Sequence, residues 1–213
     1  MTAQMFVPLL AALGAVPLGY GAALAARRLA DAIEPRASVM IALAAGLAVW
    51  AAFVMPTGWL LWITFALGWA LLVLATVDAI AFRLPDAITL PLIAVGIGVS
   101  DLLPDHDVIG HVAGMLAGLL AFYAIAQGYR YVRGREGLGL GDAKLAGAAG
   151  AWLGWQALPF LVLLACAVGI VWVLIAALRR GREALNERIP FGVALAFAIW
   201  AIWLYGLPDF LSY

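Results

Sequence analysis

The chain has 213 residues, 67% hydrophobic and 11% charged, with zero formal net charge and a mean hydropathy of +1.07. A soluble domain carries about 25% charged residues, so there is too little polar surface here to coat a water-soluble globule. Zero net charge excludes a bulk attraction to nucleic acid, and a single cysteine, Cys166, excludes an internal disulfide and a multi-cysteine zinc site.

Eight apolar runs follow in chain order: Met5–Ala26, Ser38–Met55, Gly58–Phe82, Asp86–Leu103, Val108–Tyr129, Ala143–Trp155, Leu158–Leu178 and Ile189–Leu207. Roughly 20 apolar residues cross a bilayer as one helix, and backbone groups in lipid must pair internally. The expected fold class is all-α, a polytopic membrane helical bundle of about eight transmembrane helices. The first run lacks the positive n-region of a signal peptide. Its first charges, Arg27 and Arg28, come after it, so it reads as a retained helix. Turn chemistry marks the breaks at Met55-Pro-Thr-Gly58, Leu84-Pro85-Asp86, Gly137–Gly141 and Gly206-Leu-Pro208. One membrane domain is expected, with 1–57 as an N-terminal helix pair and 58–213 as the bundle that carries the chemistry.

Charge sets the orientation, because short loops rich in Arg and Lys stay cytoplasmic. With eight spans, all 12 Lys and Arg residues fall on one side. Arg27, Arg28 and Arg36 follow the first run, and Arg83 the third. Arg130, Arg133, Arg135 and Lys144 flank the link from the fifth to the sixth, and Arg179, Arg180, Arg182 and Arg188 follow the seventh. Asp101, Asp105, Asp107 and Asp209 lie opposite, and both termini face away from the cytoplasm. The sixth run is short: Asp142 to Trp155 covers about 20 Å at about 1.5 Å per residue, against a core of roughly 30 Å. Keeping it as a span, shielded by neighbours, preserves the charge rule.

Gly110, Gly114 and Gly118 put small residues on one face of the fifth run, where another helix can approach. Trp59, Trp62, Trp152 and Trp155 suit membrane interfaces. His106 and His111 lack further ligands beside them, so no metal site is expected, and Cys166 reads as small apolar packing.

Three carboxylates remain. Asp78 follows the apolar stretch Leu71–Val77, about one turn inside the cytoplasmic end of its run. A carboxylate at that depth is costly and marks function by default, unless it serves only as a partner for Arg83 or another loop arginine. Asp142 closes Gly137-Leu-Gly-Leu-Gly-Asp142 and opens the sixth run. Helix capping is its plain explanation, but Gly139 and Gly141 allow unusual backbone and close approach. By the inferred topology Asp142 shares a membrane face with Asp78, so the two can form a dyad. Asp86, just after Pro85, is explained by capping, with a secondary part in placing substrate left open.

Val77-Asp78 with Arg83-Leu84-Pro85-Asp86-Ala-Ile-Thr89-Leu90-Pro91 resembles the first signature of prepilin peptidases, the type IV leader peptidases. Gly139-Leu140-Gly141-Asp142-Ala143-Lys144-Leu145 resembles their GxGD motif, and Ile189-Pro190-Phe191-Gly192 their last-helix signature. The three occur in the family's order. The resemblance implies an intramembrane aspartic endopeptidase that cuts the basic leader of type IV prepilins or pseudopilins at the cytoplasmic face of the inner membrane. Asp78 and Asp142 would be catalytic, and Gly139, Gly141, Lys144 and Asp86 would shape the motif or position substrate. No cofactor and no nucleic acid enter; the partners are the pilin substrate and membrane lipid. The stretch Arg130–Gly141 would admit the peptide and then order around it. Many bacterial members carry two CxxC pairs in the loop after the first helix. The corresponding stretch here, Arg27 to Ala37, has no cysteine, so N-methyltransferase activity is not expected. Val193 stands where the last signature usually has proline. A transporter or proton channel using intramembrane aspartates is the alternative class, and an inactive pilin-binding scaffold a third.

Overall fold

The computed structural model describes residues 2–30, 36–103, 107–134, 138–181 and 189–207. Among them every regular element is helical. Eight α-helices occur: α1 Thr2–Ala30, α2 Ala37–Val54, α3 Trp59–Ala81, α4 Asp86–Leu102, α5 Val108–Arg133, α6 Leu140–Leu153, α7 Leu158–Arg180 and α8 Phe191–Tyr205, with a 3-10 turn at Trp155–Ala157. Five of them, α1, α2, α3, α5 and α7, are long and apolar enough to cross a membrane. The chain is a multi-pass membrane protein built as a helical bundle. Arg135, Gly137, Arg182, Arg188, Asp105, His106, Pro208 and Asp209 lie outside the described residues.

The helices form two compact units, Met1–Phe82 and Arg83–Tyr213. In the first, α1, α2 and α3 pack on one another. A β-carbon at Gly19 of α1 would strike the backbone of Ile41 in α2, so glycine sets how closely these helices approach. Trp69 of α3 donates its indole N–H to the Leu18 carbonyl of α1 at 3.0 Å, and the Thr76 hydroxyl meets Met40 Sδ at 3.4 Å. Polar contacts of this kind join helices where lipid offers no hydrophobic drive. Phe82 ends α3 with φ 51 and ψ 39, its N–H donating to the Asp78 carbonyl. A side-chain-bearing residue in that left-handed region costs about 1–3 kcal/mol, so this stop is imposed by the surrounding chain rather than by local preference.

In the second unit α6 is the centre, touching α4, α5, α7 and α8. Its sequence is mostly alanine and glycine, and Leu145 through Trp152 are all buried. A helix with no polar stripe belongs inside a bundle, which is how this 14-residue helix is shielded. The α5 stripe does as expected at two positions. A β-carbon at Gly118 would strike the Ala146 carbonyl, and one at Gly114 would lie 2.8 Å from the Gly150 carbonyl. Gly110 differs: it lies against its own helix cap, its N–H donating to Asp107 Oδ1 at 2.8 Å.

Trp152 corrects the interface assignment given to the tryptophans. It is 3% exposed. Its indole lies across Gly96 of α4, donates to the Leu92 carbonyl at 2.8 Å and meets Trp203 of α8 edge-on at 5.2 Å. Trp59, Trp62 and Trp155 are exposed. The difference is physical: in a helix of small residues, one large ring fills the gap its neighbours leave.

Candidate active site

Two segments of the second unit meet at the start of α6. Gly139 is the N-cap, with φ −74 and ψ 147. Asp142 is the third helical residue, not the cap as expected, because the helix begins at Leu140, three residues earlier than Ala143. Its Oδ2 accepts the Gly139 N–H at 3.2 Å. This is the reach-back half of a capping box, and Asp142 as a whole is 9% exposed. It also lies where the helix dipole favours negative charge.

Gly141 explains the glycine spacing. A β-carbon there would sit 2.9 Å from Leu84 Cβ and 3.3 Å from the Leu84 nitrogen. Glycine thus lets the loop before α4 lie directly on the first turn of α6. One helical turn further on, Lys144 Nζ donates to Asp86 Oδ1 and Oδ2 at 2.6 and 2.7 Å. Asp86 is the first residue of α4, whose N-cap is Pro85, and no side chain caps that helix. The capping explanation for Asp86 therefore fails: the N-cap position belongs to Pro85, and both Asp86 oxygens accept from Lys144. The loop signature and the GxGD signature are in contact through Leu84 on Gly141 and Asp86 on Lys144.

Asp78 belongs to the first unit. It is 5% exposed, in α3 one turn before the left-handed stop at Phe82, among the buried residues Val73, Leu74 and Val77. The structure thus brings Asp142, Gly139, Gly141, Lys144 and Asp86 together in one unit and holds Asp78 in the other. The third signature anchors a helix. Pro190 caps α8, and the Phe191 ring stacks on Phe122 of α5 with centroids 6.4 Å apart.

The stretch expected to be pliable after Tyr129 is partly regular. α5 continues through Arg133 and ends on Gly134 with φ 65, a usual C-terminal glycine stop. His111 has a structural part that sequence reasoning missed. Its Nδ1–H donates to the Ala151 carbonyl at 2.9 Å, one of the last four carbonyls of α6 that lack helical partners. Only the adjacent Gly154 stop, with φ 79, hinted that such a partner was needed. No cluster of three or more His, Cys, Asp or Glu able to hold a metal occurs among the described residues.

These features define a multi-pass helical membrane protein in which a glycine-framed carboxylate is buried at the start of a central helix. Residues 65–174 match the model of the type IV leader peptidase family, just over half of the chain. The chain belongs to the type IV leader peptidase family. It is 38% identical over 176 residues to a prepilin leader peptidase/N-methyltransferase of Aeromonas salmonicida, covering 82% of this chain and 60% of that protein. It is 40% identical over 147 residues to one from Burkholderia pseudomallei, covering 69% and 47%. A third, from Pseudomonas aeruginosa, is 34% identical over 173 residues, covering 81% and 58%. The chain spans about three-fifths or less of the length of these relatives. No solved structure matches it significantly.

Proposed function

We propose that this chain is an intramembrane aspartic endopeptidase of the cytoplasmic (inner) membrane. Its substrates are type IV prepilins or pseudopilins, whose short basic leader it removes at the cytoplasmic face. The helices of 58–213 form its catalytic bundle. What carries this is the buried Asp142 carboxylate, held by the Gly139 N–H at 3.2 Å in a family whose curated relatives are named prepilin leader peptidases. Asp78, buried in an otherwise apolar helix end, supplies the second carboxylate. It stands six residues before Leu84, the residue that rests on Gly141.

The chemistry is general acid–base hydrolysis. One carboxylate takes a proton from water as the water attacks the scissile carbonyl. The other, protonated, donates to the carbonyl oxygen. Two close carboxylates share one proton, and their titration belongs to the pair. The tetrahedral intermediate then breaks its C–N bond as the carboxyl pair passes a proton to the leaving amine, and no acyl-enzyme forms. The clustered arginines on the inferred cytoplasmic side set the orientation, which fits a substrate whose basic leader stays on that side.

The test is incubation of the purified protein with a prepilin in detergent or liposomes, followed by mass spectrometry of the new N-terminus. A single cut at the junction of the basic leader and the apolar helix is expected. An intact prepilin, with proton flux in the same liposomes, would move the assignment to a transporter.

A further inference from the structure

We infer that Asp86 and Lys144 are positioning residues: their ion pair latches the loop that leaves α3 onto the first turns of α6, and so holds the segment bearing Asp142 in register for the reaction. This rests on the peptidase activity proposed above. The geometry is that of a clasp. Lys144 Nζ sits between both carboxylate oxygens of Asp86, at 2.6 and 2.7 Å, joining residues 58 apart in sequence. The clasp has a second point, Leu84 on Gly141. Leu84 is buried, and Asp142 follows Gly141 directly. Two contacts from Leu84 and Asp86 therefore bracket Asp142 on α6, one just before it and one just after it.

The pair is not built for stability. The side chain of Lys144 is 34% exposed and that of Asp86 56%, and exposed pairs contribute little to folding. Asp86 makes no side-chain cap to α4, although it sits in the first turn where the dipole favours an anion, whereas Lys144 lies near the helix end where the dipole disfavours a cation. The position of Lys144 is explained by its partner Asp86 and not by its own helix. Small misplacement of a reacting group is expensive in rate, about a hundredfold for 1 Å, so a contact worth little in stability can be worth much in turnover.

The experiment compares Asp86→Ala, Lys144→Met and the charge swap Asp86→Lys with Lys144→Asp in the full chain, cleaving a prepilin. Each single change should lower kcat about ten- to a hundredfold, with KM and Tm nearly unchanged. The swap should recover most of that loss. A swap no better than the single changes, or a rise in KM at constant kcat, overturns the latch, the latter because it marks direct substrate contact. Amide hydrogen exchange over residues 138–145 reads the latch without activity. Exchange should be faster in the single variants and slowed again in the swap; unaltered exchange in the single variants also overturns it. If the unmodified protein cuts no prepilin while this exchange pattern holds, the activity assignment falls and the latch stands as a conformational restraint.

Discussion

Gly150→Ala is a severe test of the central packing, although it adds a single methyl group. A β-carbon at Gly150 would fall on the Gly114 carbonyl of α5 and 2.6 Å from the Met115 nitrogen. Both obstacles are backbone, so no rotamer change relieves them, and α5 and α6 must separate by well over half an ångström. Overpacking typically costs about 1–3 kcal/mol. The upper end applies here, because α6 also touches α4 and α8 and passes the displacement on. At roughly 2–4 °C per kcal/mol for a chain of this size, the expected fall in Tm is about 6–12 °C. Gly128→Ala is the control on α5 itself, since nothing lies within 4 Å of a β-carbon there. It should be neutral or gain up to about 1 kcal/mol from helix propensity. Thermal unfolding of the detergent-solubilised variants, followed by scanning fluorimetry, measures both. Equal Tm shifts in the two variants would refute the close approach of α5 and α6.

Asp78→Asn and Asp142→Asn should each abolish prepilin cleavage while leaving insertion and Tm intact. Asparagine keeps the shape and, at 142, an oxygen for the Gly139 N–H; residual turnover in both variants would remove the dyad. Cleavage should persist in a strong chelator, and the mature N-terminus should carry no added methyl group when a methyl donor is present. Loss of cleavage restored by zinc, or a methylated product, contradicts these two expectations in turn. Trp152→Phe removes the N–H that reaches the Leu92 carbonyl and should cost about 1 kcal/mol. Trp152→Ala should cost about 3–5 kcal/mol by opening a cavity, and equal unfolding temperatures for the two would show that the ring does not fill that space.

The helices were legible because their signals are local. Apolar runs broken by Pro and Gly gave all eight, with ends displaced by a few residues. The largest differences are at α1, which runs on through Ala30, at α5, which runs on through Arg133, and at α6, which starts at Leu140 rather than Ala143. These ends are polar or glycine-rich, where hydropathy falls before the helix stops. The partnerships were not legible. Asp86 after a proline looks like a cap, and only the fold shows that Lys144 claims its carboxylate. Trp152 has the composition of an interface residue and is buried, since a ring's surroundings depend on which helices flank it. The glycines fall between these cases. Their spacing announced close approach, and the contacts of Gly114, Gly118 and Gly141 supplied the partners.

On the activity proposed above, the shortness of α6 bears on how water would reach a bond inside a membrane. Its 14 residues span about 21 Å at a rise of about 1.5 Å per residue, leaving about 9 Å of a typical hydrocarbon core uncrossed. Non-helical backbone is tolerated at that depth only where protein or a water-filled cavity satisfies it. If the shortfall lies at the Gly139 end, the helices packed around α6 line it in place of lipid, and solvent can follow the chain inward. A hydrolase acting below the headgroups needs such a hydrated notch, and a truncated central helix is a simple way to make one. Lengthening the start of α6 by one turn would then dry the notch and slow hydrolysis without touching either aspartate.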